Sequence, residues 1–122
     1  MNMTTNIRRV GGVAIVDISG RIVLGEESAS LRDAISDLLR KGHKQILLNL
    51  GAVDYIDSMG LGILVGAFAS VRKQGAELKL LNLPSKVADV MQMTKLYTVF
   101  DIVNDEEAAV KSFTQSTTAA KA

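Results

Sequence analysis

The first part of the chain has the pattern of two paired strands. Large apolar side chains alternate with other residues over positions 13–18, directly after Gly11 and Gly12, and Ile7 and Val10 precede that pair. A period of two is typical of a half-buried strand, and paired glycines suit the positive backbone angles of a tight turn. The chain is therefore predicted to open with a β-hairpin.

Later stretches have the three-and-four spacing of amphipathic helices. The first ends at Gly42, the second begins near Ser58 and ends at Gly75, and the third follows Pro84. A fourth helix is predicted after residues 104–107, whose polar and acidic side chains suit a helix N-terminus. The apolar helix positions, in chain order, are Leu31, Ile35, Leu38, Leu39, Leu61, Leu64, Val65, Phe68, Val71, Val87, Val90, Met91, Val110 and Phe113.

Short apolar runs separate these helices. Residues 46–50 are almost all apolar, as in a central strand that is covered on both faces, and residues 78–81 and 100–103 predict further strands. Residues 51–57 are predicted to form a loop. Strands that alternate with helices after a hairpin predict an α/β fold with a mixed sheet and about four helices. The later strands are expected to run parallel, because a crossover helix returns the chain in the same direction.

Length and composition indicate one ordinary domain. The chain has 122 residues, a net charge of +1 and no cysteine. A near-neutral balance argues against nucleic-acid binding, and without cysteine there is no disulfide or thiolate metal site, so no cofactor or metal is expected. The domain is predicted to span residues 1–113, and the small residues of 114–122 are predicted to form a disordered tail.

The apolar runs are all too short to span a bilayer. None approaches the roughly 18 residues that a transmembrane helix needs. The first residues also lack the basic and then apolar pattern of a signal peptide. The chain is therefore expected to be cytoplasmic and not inserted in a membrane.

The segment before the second helix carries the candidate functional residues. In open α/β sheets, functional groups gather beyond the carboxyl ends of strands, where loops meet helix N-termini. Ser58 is predicted to cap the second helix there. Gly60 and Gly62 each cost a helix about 1 kcal/mol relative to alanine. They either leave the surface around Ser58 bare for a partner or only allow close packing of the helix on the sheet.

One stretch resembles a motif of the STAS family, in particular of its anti-sigma factor antagonists. The family motif D-S-x-G-L-G corresponds to Asp57-Ser58-Met59-Gly60-Leu61-Gly62, and the resemblance extends over nearly all of residues 6–113. It implies a STAS-type fold and a regulatory serine, Ser58. In that family an anti-sigma factor with serine kinase activity phosphorylates the serine, and a phosphatase reverses the modification. Many members have a second serine where this chain has Met59, so Ser58 is predicted to be the sole acceptor.

The resemblance also implies a surface for the partner around Ser58. Its candidate residues are Asp57, Met59, Gly60, Leu61 and Gly62, with Asp17, Arg21 and Asp54 from earlier in the chain. Asp17 and Asp54 either flank the site or are solvated loop residues. The arginine, in the turn after Gly20, either contributes to the partner surface or pairs with a nearby carboxylate.

Catalysis by Ser58 is not expected. A nucleophile elbow needs glycine two residues before the serine, where this chain has Ile56, and the only histidine, His43, precedes the central strand. The predicted function is that of an anti-sigma factor antagonist: the unphosphorylated form binds the anti-sigma factor and releases the sigma factor. The sequence leaves open the alternative of an unphosphorylated STAS module in a lipid-transport or other signalling complex. It also leaves self-association open.

Overall fold

The computed structural model describes residues 3–23 and 25–121, with the backbone only for residues 26–28 and 114–121. In this part of the chain a five-stranded sheet has the order β1-β2-β3-β4-β5. β1 and β2 are antiparallel and the remaining neighbours are parallel, which confirms the predicted mixed sheet. The elements are β1 (Thr4–Val10), β2 (Val13–Ile22), α1 (Glu26–Arg40), β3 (Gln45–Ile56), α2 (Ser58–Lys73), β4 (Glu77–Leu81), α3 (Ser85–Met93), a short 3-10 helix (Leu96–Thr98), β5 (Asp101–Val103) and α4 (Glu106–Lys121).

The predicted hairpin is present, with Gly11 and Gly12 at positive φ angles of 56° and 85° in its turn. The loop predicted for residues 51–57 is wrong for all but its last residue, because β3 continues to Ile56. There it pairs with the end of β2, where Arg21 is aligned with Tyr55. The register between the two strands shifts twice, between Asp17 and Ser19 and between Gly20 and Arg21 of β2, and each shift leaves one extra residue in β3. The pairing nevertheless continues to the ends of both strands and keeps this part of β3 extended.

The sheet separates two apolar cores. On one face, Val16 and Leu48 pack with side chains of α1, α2 and α3, among them Leu64. On the other face, Ile15 and Leu47 pack with α4. Successive residues of a strand point to opposite faces, so a strand between two cores is apolar at nearly every position. This confirms that residues 46–50 belong to a strand covered on both faces.

α4 begins at Glu106, where the polar and acidic residues of the sequence predicted the start of a helix. The Asp105 carboxylate accepts a hydrogen bond from the Ala108 backbone N–H at 2.9 Å, at the start of the helix. The side chains of α4 are described as far as Phe113, so the disordered tail predicted for residues 114–122 stays a prediction.

Candidate functional site

The candidate site lies where β3 passes into α2. The pairing of β3 with β4 ends at Asn49, whereas its pairing with β2 continues as far as Ile56. The ends of β2 and β3 therefore form a two-stranded ribbon that extends beyond the rest of the parallel sheet. Ser58 is the first residue of α2, directly after this ribbon, and its side chain is exposed.

Asp57, and not Ser58, caps α2, so the cap predicted from the sequence is wrong. The Asp57 carboxylate accepts a hydrogen bond from the Gly60 backbone N–H at 2.7 Å, and the Asp57 backbone is extended. An N-cap residue needs this non-helical backbone to aim its side chain at the free N–H groups of the first turn. Ser58 already lies inside the helix, so its hydroxyl group is not needed for the cap.

This assignment predicts different effects for two neighbouring substitutions. We expect Asp57→Ala to lower the free energy of unfolding by about 1 kcal/mol, because the first turn loses its cap and a favourable charge. The matched control, Ser58→Ala, is expected to stay within about 0.5 kcal/mol of the native protein. Urea unfolding followed by circular dichroism measures both. A larger loss of stability for Ser58→Ala than for Asp57→Ala would show that the serine caps the helix.

The two helix glycines have different roles: Gly60 allows close packing of the helix on the sheet, and Gly62 leaves a bare surface. A Cβ atom on Gly60 would lie 1.8 Å from the carbonyl oxygen of Ile22, so this glycine allows α2 to pack against the end of β2. The same carbonyl oxygen accepts a hydrogen bond from the Asp57 N–H at 3.4 Å. A Cβ atom on Gly62 would meet nothing within 4 Å. Gly60 therefore fixes the position of the helix, and Gly62 leaves an open surface.

The side chains next to Ser58 point in different directions. Met59 is 52% exposed, whereas Leu61 is 5% exposed and belongs to the core. Gly60 is buried as well. The expectation that all of residues 57–62 face a partner is therefore wrong for Gly60 and Leu61, because a helix turns consecutive residues towards different sides.

Arg21 and Asp54 both lie on the ribbon. The Arg21 guanidinium is 4.9 Å from the ring centroid of Tyr55, in a cation–π contact, and Asp54 is exposed. Ile22 and Ile56 point into the core, so alternation places Arg21 and Tyr55 on the other face of the ribbon. Sequence reasoning missed Tyr55, which only the strand register brings next to the arginine.

Asp17 lies away from Ser58 and has a structural role. It is aligned with Asn49, well before the ribbon, and it pairs with Arg8 at 2.6 Å. Arg8 also pairs with Glu106 at the start of α4, at 2.7 Å. Hydrogen bonds from Arg8 hold the pKa of the Asp17 and Glu106 carboxyl groups below their usual values. Asp17 therefore helps to tie β1, β2 and α4 together and does not flank the site.

A groove of about 430 Å³ runs between α1 and α2 beside the serine. Its lining is mostly apolar or small, and Arg32 supplies its charged side chain. The lining residues are Arg32, Ile35, Ser36, Ser58, Met59, Gly62, Ile63, Gly66, Ala67 and Ser70. Ser58 is thus next to an open surface with room for a side chain or a small group.

The site does not bring a histidine or a metal cluster to Ser58. His43 precedes β3 and Ser58 follows it, so the 12 residues of that strand separate the two side chains. In the described part of the chain, no three or more His, Cys, Asp or Glu side chains lie together as a metal site would require. Over the same residues, none of the helices has the length and apolar character of a membrane span.

The fold and site define a class: an α/β domain with an exposed serine at the first position of a glycine-containing helix. The model of the STAS domain family matches residues 4–109. The chain therefore belongs to the STAS domain family, and its relatives place it among the anti-sigma factor antagonists. The family predicted from the motif is confirmed.

Three relatives give the extent of this similarity. An anti-sigma-B factor antagonist of Bacillus subtilis is 32% identical over 111 residues, which cover 91% of this chain and 100% of the relative. An anti-sigma F factor antagonist of Paenibacillus polymyxa is 24% identical over 110 residues, which cover 90% and 94%. The crystal structure of an anti-sigma factor antagonist from Mycobacterium paratuberculosis has a TM-score of 0.77 at 21% identity, covering 91% of this chain and 93% of that chain.

Proposed function

We propose that this protein is an anti-sigma factor antagonist that works by partner switching. Its unphosphorylated form binds an anti-sigma factor with serine kinase activity, and the sigma factor held by that inhibitor is released. Phosphorylation of Ser58 by the inhibitor ends the binding, and a phosphatase restores it. The observation that carries the proposal is the placement of Ser58: an exposed hydroxyl at the start of α2, outside the cap, beside an exposed methionine and a bare glycine.

The proposed partner surface is smaller than the motif. It comprises Ser58, Met59 and Gly62 on α2, with Arg21 and Asp54 on the adjoining ribbon. The cap residue Asp57 shapes the start of the helix and adds a negative charge next to the serine. In this proposal the protein performs no chemistry of its own and acts in the cytoplasm, where its partners are.

The switch acts through charge at an interface. A phosphate adds a charge of about −1.5 to −2 near neutral pH, and the first turn of a helix accommodates an anion well. Phosphorylation of Ser58 is therefore compatible with a folded α2. A partner seated over the serine would have to bury this charge beside the Asp57 carboxylate, which costs desolvation and repulsion. The domain keeps its fold while the complex loses affinity.

Ser58 is expected to be the single regulatory phosphorylation site. Incubation with the cognate kinase and ATP, followed by peptide mass mapping, should place the phosphate on Ser58, and Ser58→Ala should abolish it. Ser85 provides an internal comparison, because it too is an exposed first residue of a helix, although Pro84 precedes it and no side chain caps that helix. Phosphate mainly on Ser28, Ser30 or Ser85 would overturn this assignment.

A further inference from the structure

Arg32 and Ser58 line the same groove from opposite helices. Arg32 lies on α1 and Ser58 on α2, and the groove between them holds about 430 Å³. Ile63 and Ala67 form part of the floor on the α2 side. The modification site of the proposed function therefore faces a cavity to which the opposite helix contributes a cation.

The topology brings the two side chains towards the same end of the groove. β2 and β3 are parallel, so the helices that follow them, α1 and α2, begin at the same edge of the sheet. Side chains on a helix lean towards its N-terminus. The long Arg32 side chain therefore leans towards the edge where α2 begins, and Ser58 is the first residue of α2.

Arg32 is the basic residue of α1 that has no carboxylate partner within the part of the chain whose side chains are described. Arg40, in the last turn, pairs with Asp37 at 2.6 Å, and Lys41 just after the helix pairs with the same carboxylate at 3.1 Å. Arg32 makes no ion pair with a described side chain. Its guanidinium is exposed and is thus available to a new anion at the groove.

We propose that Arg32 is the intramolecular partner of the phosphate on Ser58. The guanidinium fork matches two phosphate oxygens at once, so the modified serine is held across the α1–α2 groove. The contact joins the two helices and covers the open surface at Gly62 in the phosphorylated form. It also shields the phosphate from the phosphatase. This inference rests on the proposed function, because it needs a phosphate on Ser58.

The test uses protein in which phosphoserine is incorporated at position 58 during synthesis, so that no kinase is required. Phosphorus NMR from about pH 4 to 8 follows the second ionisation of the phosphate, which is near pH 6 when unperturbed. In the native background its pKa is expected to be lower than in Arg32→Gln by roughly 1 unit, because a nearby cation favours the dianion. A general serine phosphatase should also release phosphate severalfold faster from Arg32→Gln.

Two further variants separate a specific contact from a general change of charge. Arg72→Gln removes the same charge from the far end of α2, where Arg72 lies over the ring of Phe68, and should leave the titration unchanged. Arg32→Lys should keep part of the shift but lose the two-pronged contact. Equal titration curves for the native, Arg32→Gln and Arg32→Lys proteins would overturn the inference. Failure of any kinase to modify Ser58 would instead count against the proposed function.

Discussion

Replacing Gly60 with alanine is expected to lower the free energy of unfolding by about 3 kcal/mol, near the upper end of the range for overpacking a core. The new Cβ atom would lie 1.8 Å from the Ile22 carbonyl oxygen and 2.6 Å from its carbon. Both are backbone atoms, so neither can move aside as a flexible side chain would. Alanine favours a helix over glycine by about 1 kcal/mol, which offsets only part of this cost.

The matched control is Gly62→Ala, two positions along the same helix. A Cβ atom on Gly62 would have no neighbour within 4 Å, so only the gain in helix propensity remains. We expect this variant to be more stable than the native protein by up to about 1 kcal/mol. Urea unfolding measures both variants, and equal midpoints for Gly60→Ala and the native protein would contradict the close contact.

Gly60 links the stability of the fold to the position of the functional serine. The Ile22 carbonyl group contacts Gly60 and also accepts the Asp57 N–H hydrogen bond, so one peptide group holds the first turn of α2. In the same turn, the Asp57 carboxylate accepts a hydrogen bond from the Gly60 N–H. Any residue larger than glycine at position 60 would move the start of the helix, and Ser58 with it.

The sequence pattern predicted the order and types of the elements. The interpretation of the motif at residues 57–62, however, assumed that all residues of one helical turn faced outward. At 3.6 residues per turn, positions two apart lie about 200° apart around a helix. Leu61 has the spacing of the core face, so Met59 must point outward, and the same rule separates Gly60 from Gly62. Projection of the motif onto a helix could have assigned the buried and exposed positions from the sequence.

Other features of the site depend on contacts between distant segments. Gly51 and Asp54 favour a loop by composition, yet pairing with β2 makes this stretch a strand. The Asp17 carboxylate is paired with Arg8. Arg8 also binds Glu106, which follows it by 98 positions in the chain. Local pattern contains no information on which carboxylate such an arginine will meet. The structural role of Asp17 can therefore be assigned only from the folded chain.

Phosphorylation of Ser58 is expected to weaken binding to the anti-sigma partner about 150-fold, which corresponds to a coupling free energy of roughly 3 kcal/mol. Ser58→Asp and Ser58→Glu should weaken it in the same direction, and by less, because a carboxylate carries a smaller charge than a phosphate. Ser58→Ala should keep binding. Asp57 retains the cap in every variant, so a loss of affinity cannot be attributed to unfolding of α2. Calorimetry with equal affinities for the native and both acidic proteins would contradict the switch.

The effect of Ser58 phosphorylation on release of the sigma factor can be measured with a preformed complex of the anti-sigma factor and its sigma factor. Unphosphorylated protein is added to one sample and phosphorylated protein to another, and size-exclusion chromatography follows the free sigma factor. We expect release in the first sample only, because the added charge on Ser58 blocks the surface formed with Met59 and Gly62. Release in both samples would show that charge at Ser58 does not control binding. Release in neither, with every anti-sigma factor of the source cell, would instead favour a STAS module that acts in another assembly without phosphorylation.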